Sequence, residues 1–365
     1  MKSLGIDRCW AEVDRAALRH NARVARERVG PQPALLAVVK ADGYGHGMVE
    51  VARALREDAE LFGVANLQEA LALREGGISH PVLILGPALP EERAAIKAGG
   101  FIASVSSLAE ALAFEGSAAG INFVIDTGMG RMGCAPDDAL AELEKIARLP
   151  NLTLHSVSTH LPVADEDEAF SEMQLVQFDV LVRQIRARVP TAFKVHLLLS
   201  AGILGFAHHR YDIVRAGLML YGSSPLLREQ KLLRPVLALK ARVALLRDLP
   251  AGRSVSYGRT FITARPTRVA TISAGYADGY PRSISNRDGT VLIDGRRCPV
   301  LGRVTMDLSM VDVTAVPEAK LGDEVVLIGK QGAEEILVAE VAERAGTIAW
   351  EIFTGIGSRA RRVYL

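Results

Sequence analysis

Short apolar runs rich in β-branched residues alternate with amphipathic stretches of helical period through the first two thirds of the chain. The runs at 35–40, 61–65, 81–86, 101–105, 121–126, 153–159, 194–199 and 213–218 predict strands. Between them the periodicity predicts helices over 48–57, 67–76, 90–98, 106–115, 136–148 and 168–189, with a short one near 201–206. Ahead of these units, RCWAEVD (8–14) reads as a strand. Asp14 then stands as the N-cap of a helix over 15–28, which Gly30, Pro31 and Pro33 end. Strands alternating with helices at this spacing predict parallel βαβ units. Eight of them within about 200 residues predict an α/β fold closed as a (β/α)8, TIM-like barrel rather than an open sheet.

The texture changes after Tyr221-Gly222. Short β-type runs at 236–247, 268–273, 291–294, 299–304, 309–313, 324–329 and 360–364 are separated by Gly, Pro and Asp-Gly turns, and only about 335–345 has helical character. A mainly antiparallel β domain follows. The expected division is a barrel over 8–233 and a β domain over 234–365, which the strand at 8–14 can join.

Composition narrows the function classes. The 365 residues are 49% hydrophobic and 23% charged, as in an ordinary globular protein. A net charge of +1 without a Lys/Arg run gives no electrostatic footprint for nucleic acid. The N-terminus MKSLGIDRCWAEVD lacks the apolar core of a signal peptide, and no apolar run is long enough to span a bilayer. Cys9, Cys134 and Cys298 are scattered, with no metal-ligand spacing, so neither a disulfide framework nor a metal centre is expected. A cytoplasmic location is the expectation.

The most unusual stretch is LLAVVKADGYGHG, 35–47. It ends a buried strand on Lys40, then turns through Gly43, Gly45 and Gly47. Burying an ammonium is costly unless it is paired or loses its proton. Desolvation lowers a lysine pKa and makes the amine nucleophilic. The ordinary alternative is a lysine reaching for solvent. Against it, Arg131, His160, Ser200 and Arg215 also fall at or just beyond predicted strand ends, the face on which such barrels carry their active sites.

That stretch resembles the cofactor-lysine segment of the alanine racemase family. DTGMGRMG (126–133), STHLPVADED (158–167), IVRAGLMLYG (213–222), AGYADGY (274–280) and GRVTMD (302–307) are similar to the family in order and spacing, over nearly the whole chain. The resemblance implies a pyridoxal 5′-phosphate (PLP) isomerase. Its reaction would interconvert L- and D-alanine by a two-base mechanism and supply D-alanine for peptidoglycan. It implies a homodimer in which each β domain closes the partner's site, with no nucleic-acid or membrane partner.

By the same resemblance, Lys40 would carry PLP and serve one face of the substrate, and Tyr276 the other. Arg215 would meet the pyridine nitrogen and His160 would relay between Arg215 and Tyr276. Tyr44, Ser200 and the backbone N–H groups of Gly217 and Leu218 would hold the phosphate. Arg131 would meet the cofactor's phenolic oxygen and the substrate carboxylate, and Met306 and Asp307 would face the substrate.

Three positions depart from the family pattern. Val124 stands where many members have a lysine whose carbamate orients the arginine of DTGMGR, so something else must hold Arg131. Leu199 replaces an asparagine before Ser200. Trp350 replaces a tyrosine that reaches the phosphate, and an indole N–H donates but does not accept. A serine or broader amino-acid racemase on the same scaffold remains open on these grounds. A barrel-type PLP decarboxylase is disfavoured by Tyr276 and Arg215, and a non-enzymatic PLP carrier by the β domain.

Overall fold

The computed structural model describes residues 7–365; residues 1–6, part of the N-terminal stretch considered above for a leader, lie outside them. The chain divides into two compact units: Leu18–Gly43 with Met48–Arg234, and the residues up to Ala17 with Tyr44–Gly47 and Pro235–Leu365.

The chain enters through β1 (Cys9–Val13), a strand of the second unit, and α1 (Arg15–Val29). Asp14 Oδ1 accepts from the N–H groups of Ala16 and Ala17, which is the cap the sequence predicts. Eight strands then close a parallel barrel: β2 (Ala34–Val38), β3 (Leu61–Val64), β4 (Val82–Pro87), β5 (Ile102–Val105), β6 (Ile121–Val124), β7 (Leu154–Ser158), β8 (Lys194–His196) and β9 (Ile213–Ala216). The seam is the pairing of β2 with β9. Helices α2 (Met48–Leu55), α3 (Leu67–Glu75), α4 (Arg93–Ala98), α5 (Leu108–Leu112), α6 (Pro136–Ile146), α7 (Glu168–Arg188) and α8 (Ser200–Gly205) alternate with them. The predicted barrel is therefore the observed one.

Both faces of a barrel strand are covered, so β3 and β5 are buried at every position. The interior is not wholly apolar. Ser104, Asn122, Ser156 and His196 are buried on four successive strands and bonded in a row. Ser104 Oγ donates to the Ile84 carbonyl at 2.7 Å and accepts from Asn122 Nδ2 at 3.1 Å. Ser156 Oγ donates to Asn122 Oδ1 at 3.0 Å and meets His196 Nε2 at 3.2 Å.

The second unit is built on β10 (Leu237–Leu249), β11 (Ser254–Val255), β12 (Phe261–Ile262), β13 (Thr267–Ile272), β14 (Thr290–Ile293), β15 (Arg296–Pro299), β16 (Ser309–Asp312), β17 (Glu324–Gln331), β18 (Glu334–Ile336) and β19 (Arg361–Tyr364), with α9 (Val338–Ala345) and α10 (Ala349–Gly355). Its main sheet runs β15-β14-β17-β10-β1-β19, with β13, β16 and β18 attached at the side. All its pairings are antiparallel except β1 with β19. The first half of β10 alternates buried and half-buried positions, as a strand with one covered face does. Lys240 of β10 pairs with Glu12 of β1 at 2.9 Å and Glu324 of β17 at 3.2 Å, tying three strands together.

Two expectations fail here. The run at 299–304 is not a strand: Arg296–Pro299 is, and Val300 keeps a single bridge to Val311. The cause is the Asp294-Gly295 turn, with φ of 49° and 69° at its two central residues. That left-handed pair makes a two-residue hairpin and brings the return strand forward. Helix α10 was not predicted, because seven residues are too few to display a helical period. The three cysteines are free and buried, and no helix among the described residues is long and apolar enough to cross a membrane.

Candidate active site

Lys40 lies two residues past the end of β2, at the start of a tight left-handed turn. Ala41, Asp42, Gly43 and Tyr44 have φ of 52°, 52°, 62° and 51°. Left-handed backbone costs an L-residue roughly 1–2 kcal/mol, so the three non-glycine residues among these four need outside support. Glu69 supplies part of it: one carboxylate oxygen accepts from Ala41 N–H and the other from Ala65 N–H, both at 2.7 Å. Asp42 Oδ1 accepts from Met48 N–H at 2.9 Å, and Gly43 N–H donates to the Val39 carbonyl at 2.8 Å. The half-buried Lys40 amine has its pKa lowered, first by burial and then by the Arg131 and Arg215 charges, with Glu69 opposing.

Arg215, within β9, is buried. Its Nη2 donates to the carbonyls of Thr159 at 2.7 Å and Leu197 at 3.0 Å, with a longer contact of 3.4 Å to His160 Nδ1. All these bonds leave from one nitrogen, so Nε and Nη1 remain as spare donors, and none goes to a carboxylate. Burial, then Arg131, lowers its pKa to about 10, so the guanidinium stays charged at neutral pH. His160 is pushed down to about 3 by burial and by the Arg215, Arg131 and Lys40 charges. It is a neutral imidazole. With Nδ1 facing an arginine donor, its proton sits on Nε2.

Ser200 opens α8, and its Oγ accepts from the N–H groups of Gly217 at 3.0 Å and Met219 at 3.2 Å. The Gly217 N–H, expected to face a phosphate, is thus committed to Ser200 here. The Ser200 O–H and the Leu218 N–H between those two donors are the groups left over.

Arg131 is exposed, on the loop after β6. Val124 gives it no side-chain partner. The loop itself is held by Asp126, whose carboxylate accepts from the N–H groups of Gly128, Met129 and Gly130 at 3.0, 2.7 and 2.9 Å. Reciprocal bonds of Cys134 with Asp126 and Val124 close its base.

The second unit carries the remaining predicted residues. Tyr44 is buried, and burial pushes its phenol up to about 12 against a side-chain hydrogen bond from Trp350. The indole N–H is the donor in that bond. Gly45 follows, its carbonyl accepting from Arg362 Nε at 2.9 Å and Nη2 at 2.6 Å, and the His46 carbonyl accepts from the Tyr364 hydroxyl at 3.1 Å. Tyr276 opens a 3₁₀ turn, and two strands of loop are laced there: Tyr276 N–H to the Thr305 carbonyl and Ala277 N–H to the Met306 carbonyl, both 3.0 Å. Gly275 is required at this crossing, because a Cβ would stand 2.2 Å from the Thr305 oxygen. Tyr276 and Met306 are exposed (41% and 53%), and Asp307 pairs with Arg359 at 2.8 Å.

Sequence reading missed Glu69 and Asp126, neither of which is a reacting group. The signal for Glu69 was the Asn66-x-x-Glu69 capping pattern, since Asn66 does cap α3. For Asp126 it was an aspartate opening a glycine-rich loop.

Lys40, Arg131 and Arg215 make a strand-end face on which burial and the Arg131 charge lower the pKa values of Lys40 and Arg215, with Glu69 the one carboxylate acting on Lys40. A buried cation without a carboxylate is stable only with an anion or many dipoles. These features define a barrel enzyme that presents a depressed lysine amine beside an anion-binding face.

Comparison with known proteins gives that class its family. Residues 13–225 match the alanine racemase N-terminal domain and residues 236–364 the alanine racemase C-terminal domain. The alanine racemase of Methylacidiphilum infernorum is 41% identical over 98% of this chain and 92% of its own, and that of Symbiobacterium thermophilum 42% over 99% and 98%. Among solved structures, alanine racemase from D-cycloserine producing Streptomyces lavendulae superposes with a TM-score of 0.89 at 38% identity, covering 99% of this chain and 97% of that one. The Bacillus anthracis alanine racemase with bound L-Ala-P gives 0.89 at 33%, covering 100% and 96%. The chain belongs to the alanine racemase family, and with it to the isomerases.

Proposed function

We propose that the chain interconverts L- and D-alanine with PLP held on Lys40, as a cytoplasmic homodimer supplying D-alanine for peptidoglycan. The observation that carries this is Arg215: a buried guanidinium with two spare donors and no carboxylate, on the same face as a lysine of lowered pKa. An anionic, ring-nitrogen-bearing cofactor fits that donor set. The Ser200 O–H, the Leu218 N–H and the Tyr44 hydroxyl would hold its phosphate, with Gly217 fixing Ser200 and Trp350 fixing Tyr44.

PLP, when bound, supplies the electron sink that makes the α-proton of an amino acid labile. The protein's own part is to move that proton between two faces. The Lys40 amine serves one, and its lowered pKa makes the neutral base available nearer neutral pH. The Tyr276 hydroxyl of a second copy serves the other. His160, neutral and protonated on Nε2, has a donor for that phenolic oxygen when it loses its proton, and Arg215 keeps the ring in that tautomer. Because Arg215 stays charged, it would donate a hydrogen bond to the cofactor's ring nitrogen without giving up a proton. That restrains the electron sink and favours return of the proton over side reactions. Arg131, Met306 and Asp307 would meet the substrate.

The test is incubation of the purified protein with a panel of L-amino acids, read by chiral chromatography. D-Alanine should form fastest. Preferential formation of D-serine would replace alanine as the substrate, and no D-enantiomer from any member of the panel would overturn the proposal.

A further inference from the structure

A second cluster lies in the barrel unit and shares no residue with the Lys40 face. Glu172 and Asp179 are seven residues apart on α7 and so project from one side of it. His208, His209 and Tyr211 follow α8. His208 Nε2 lies 3.0 Å from Glu172 Oε1, and His209 Nε2 lies 3.1 Å from Glu172 Oε2. One atom from each of the three residues falls within 4.8 Å of the others. On its far side, His209 Nδ1 meets Asp179 Oδ2 at 3.2 Å, and Tyr211 donates its hydroxyl to Asp179 Oδ1 at 2.8 Å.

We propose that Glu172, His208 and His209 form a Zn(II) site that joins α7 to the segment after α8.

The plain alternative is a surface network of histidines and carboxylates, which would be worth little in stability. Two features favour a metal. His209 faces a carboxylate through each ring nitrogen, whereas a neutral imidazole has only one N–H to donate. A cation in place of the Nε2 proton keeps the same geometry with a neutral ring whose Nδ1–H donates to Asp179. That carboxylate–histidine–metal order is how ligand histidines are oriented, and here Tyr211 fixes the carboxylate in turn. Charge also closes: Glu172 and Asp179 together balance a divalent ion.

Two imidazoles and one carboxylate suit zinc, whereas calcium and magnesium take oxygen ligands. Ligands of a tetrahedral zinc lie roughly 3.3 Å apart, so these atoms, within 4.8 Å of one another, would draw together by up to about 1.5 Å to close on the ion. A water would complete the set.

The test is equilibrium dialysis of the metal-stripped holoenzyme against Zn(II), together with thermal unfolding. One zinc per chain should bind and raise the unfolding temperature. His208 has a side chain 62% exposed, so His208→Ala should fold normally, lose at least tenfold in affinity and abolish the thermal shift. Asp179→Asn should weaken binding about 10- to 100-fold through the ring it orients. Alanine racemisation should be unchanged in His208→Ala. Binding of less than one zinc per chain, or wild-type affinity in both variants, would overturn the site.

Discussion

Single residues in this protein act through what surrounds them more than through their own type. Lys40 is an ordinary lysine until burial, Arg131 and Arg215 lower its pKa, and His160 is an ordinary histidine until burial, helped by the neighbouring cations, keeps it neutral. The resemblance named these residues; burial and neighbours give them their chemistry. Three histidines, His155, His160 and His196, are held below the ordinary value of 6.5, each mainly by burial: His155 to about 4, His160 to about 3, and His196 well below its ordinary value. An unfolded chain takes up protons at these positions below pH 6.5 that the native chain refuses. Stability is therefore full above 6.5 and falls as pH drops toward 4, by up to about 1.4 kcal/mol per pH unit for each group. Urea unfolding at pH 7, 6 and 5 should show this slope, and His155→Gln should remove about a third of the histidine contribution. An unchanged slope in that variant would mean that His155 charges in the native state.

At the scale of elements, period and turn chemistry made the barrel legible. Parallel strands buried on both faces read as apolar runs, and Asp14, Asn66 and Asp167 cap their helices through side-chain oxygens. What stayed hidden has a common physical cause. The left-handed turn at Ala41–Tyr44 contains one glycine among four residues, so its conformation comes from Glu69 and other distant partners, not from local preference. The short helix α10 is similarly fixed by packing. Tertiary support of this kind predicts a contrast between two glycines. Gly45 has φ +76°, and a Cβ there would lie 2.3 Å from the Phe353 carbonyl oxygen; Gly77 has φ +81° with nothing within 4 Å. Gly77→Ala should cost about 1 kcal/mol, the strain of left-handed backbone alone. Gly45→Ala should cost more than about 2 kcal/mol and reduce PLP content, because backbone must move. Chemical denaturation and cofactor absorbance check both, and equal losses would remove the steric argument.

For the whole molecule, the sequence separates a barrel from a β domain that the strand at 8–14 can join, but carries no direct sign that Tyr44–Gly47 also belong with that domain. Strand β1 and the four residues Tyr44–Gly47 belong with the later part of the chain. Lys40 lies in one unit and Tyr276 in the other, and the proposed mechanism takes them from different copies. Mixing has a definite outcome. Lys40→Ala and Tyr276→Phe homodimers should each be nearly inactive. Re-association at equal amounts makes half the dimers mixed, each with one intact site, so about 25% of wild-type activity should return. No recovery, with mixed dimers verified by mass, would place both bases on the same copy.

Residues 44–47 also set an order of events. Gly45 is held by Arg362, 317 positions away, and His46 by Tyr364. A ribosome adding about 5–20 residues per second makes that partner roughly a quarter of a minute to a minute after the loop. The barrel strands are complete long before then, while the loop beyond Lys40 and the second edge of β1 wait for β19. A nascent chain can thus assemble its barrel yet be unable to fix the segment that follows its lysine. The proposed retention of a cofactor on Lys40 should therefore depend on β19 having been made.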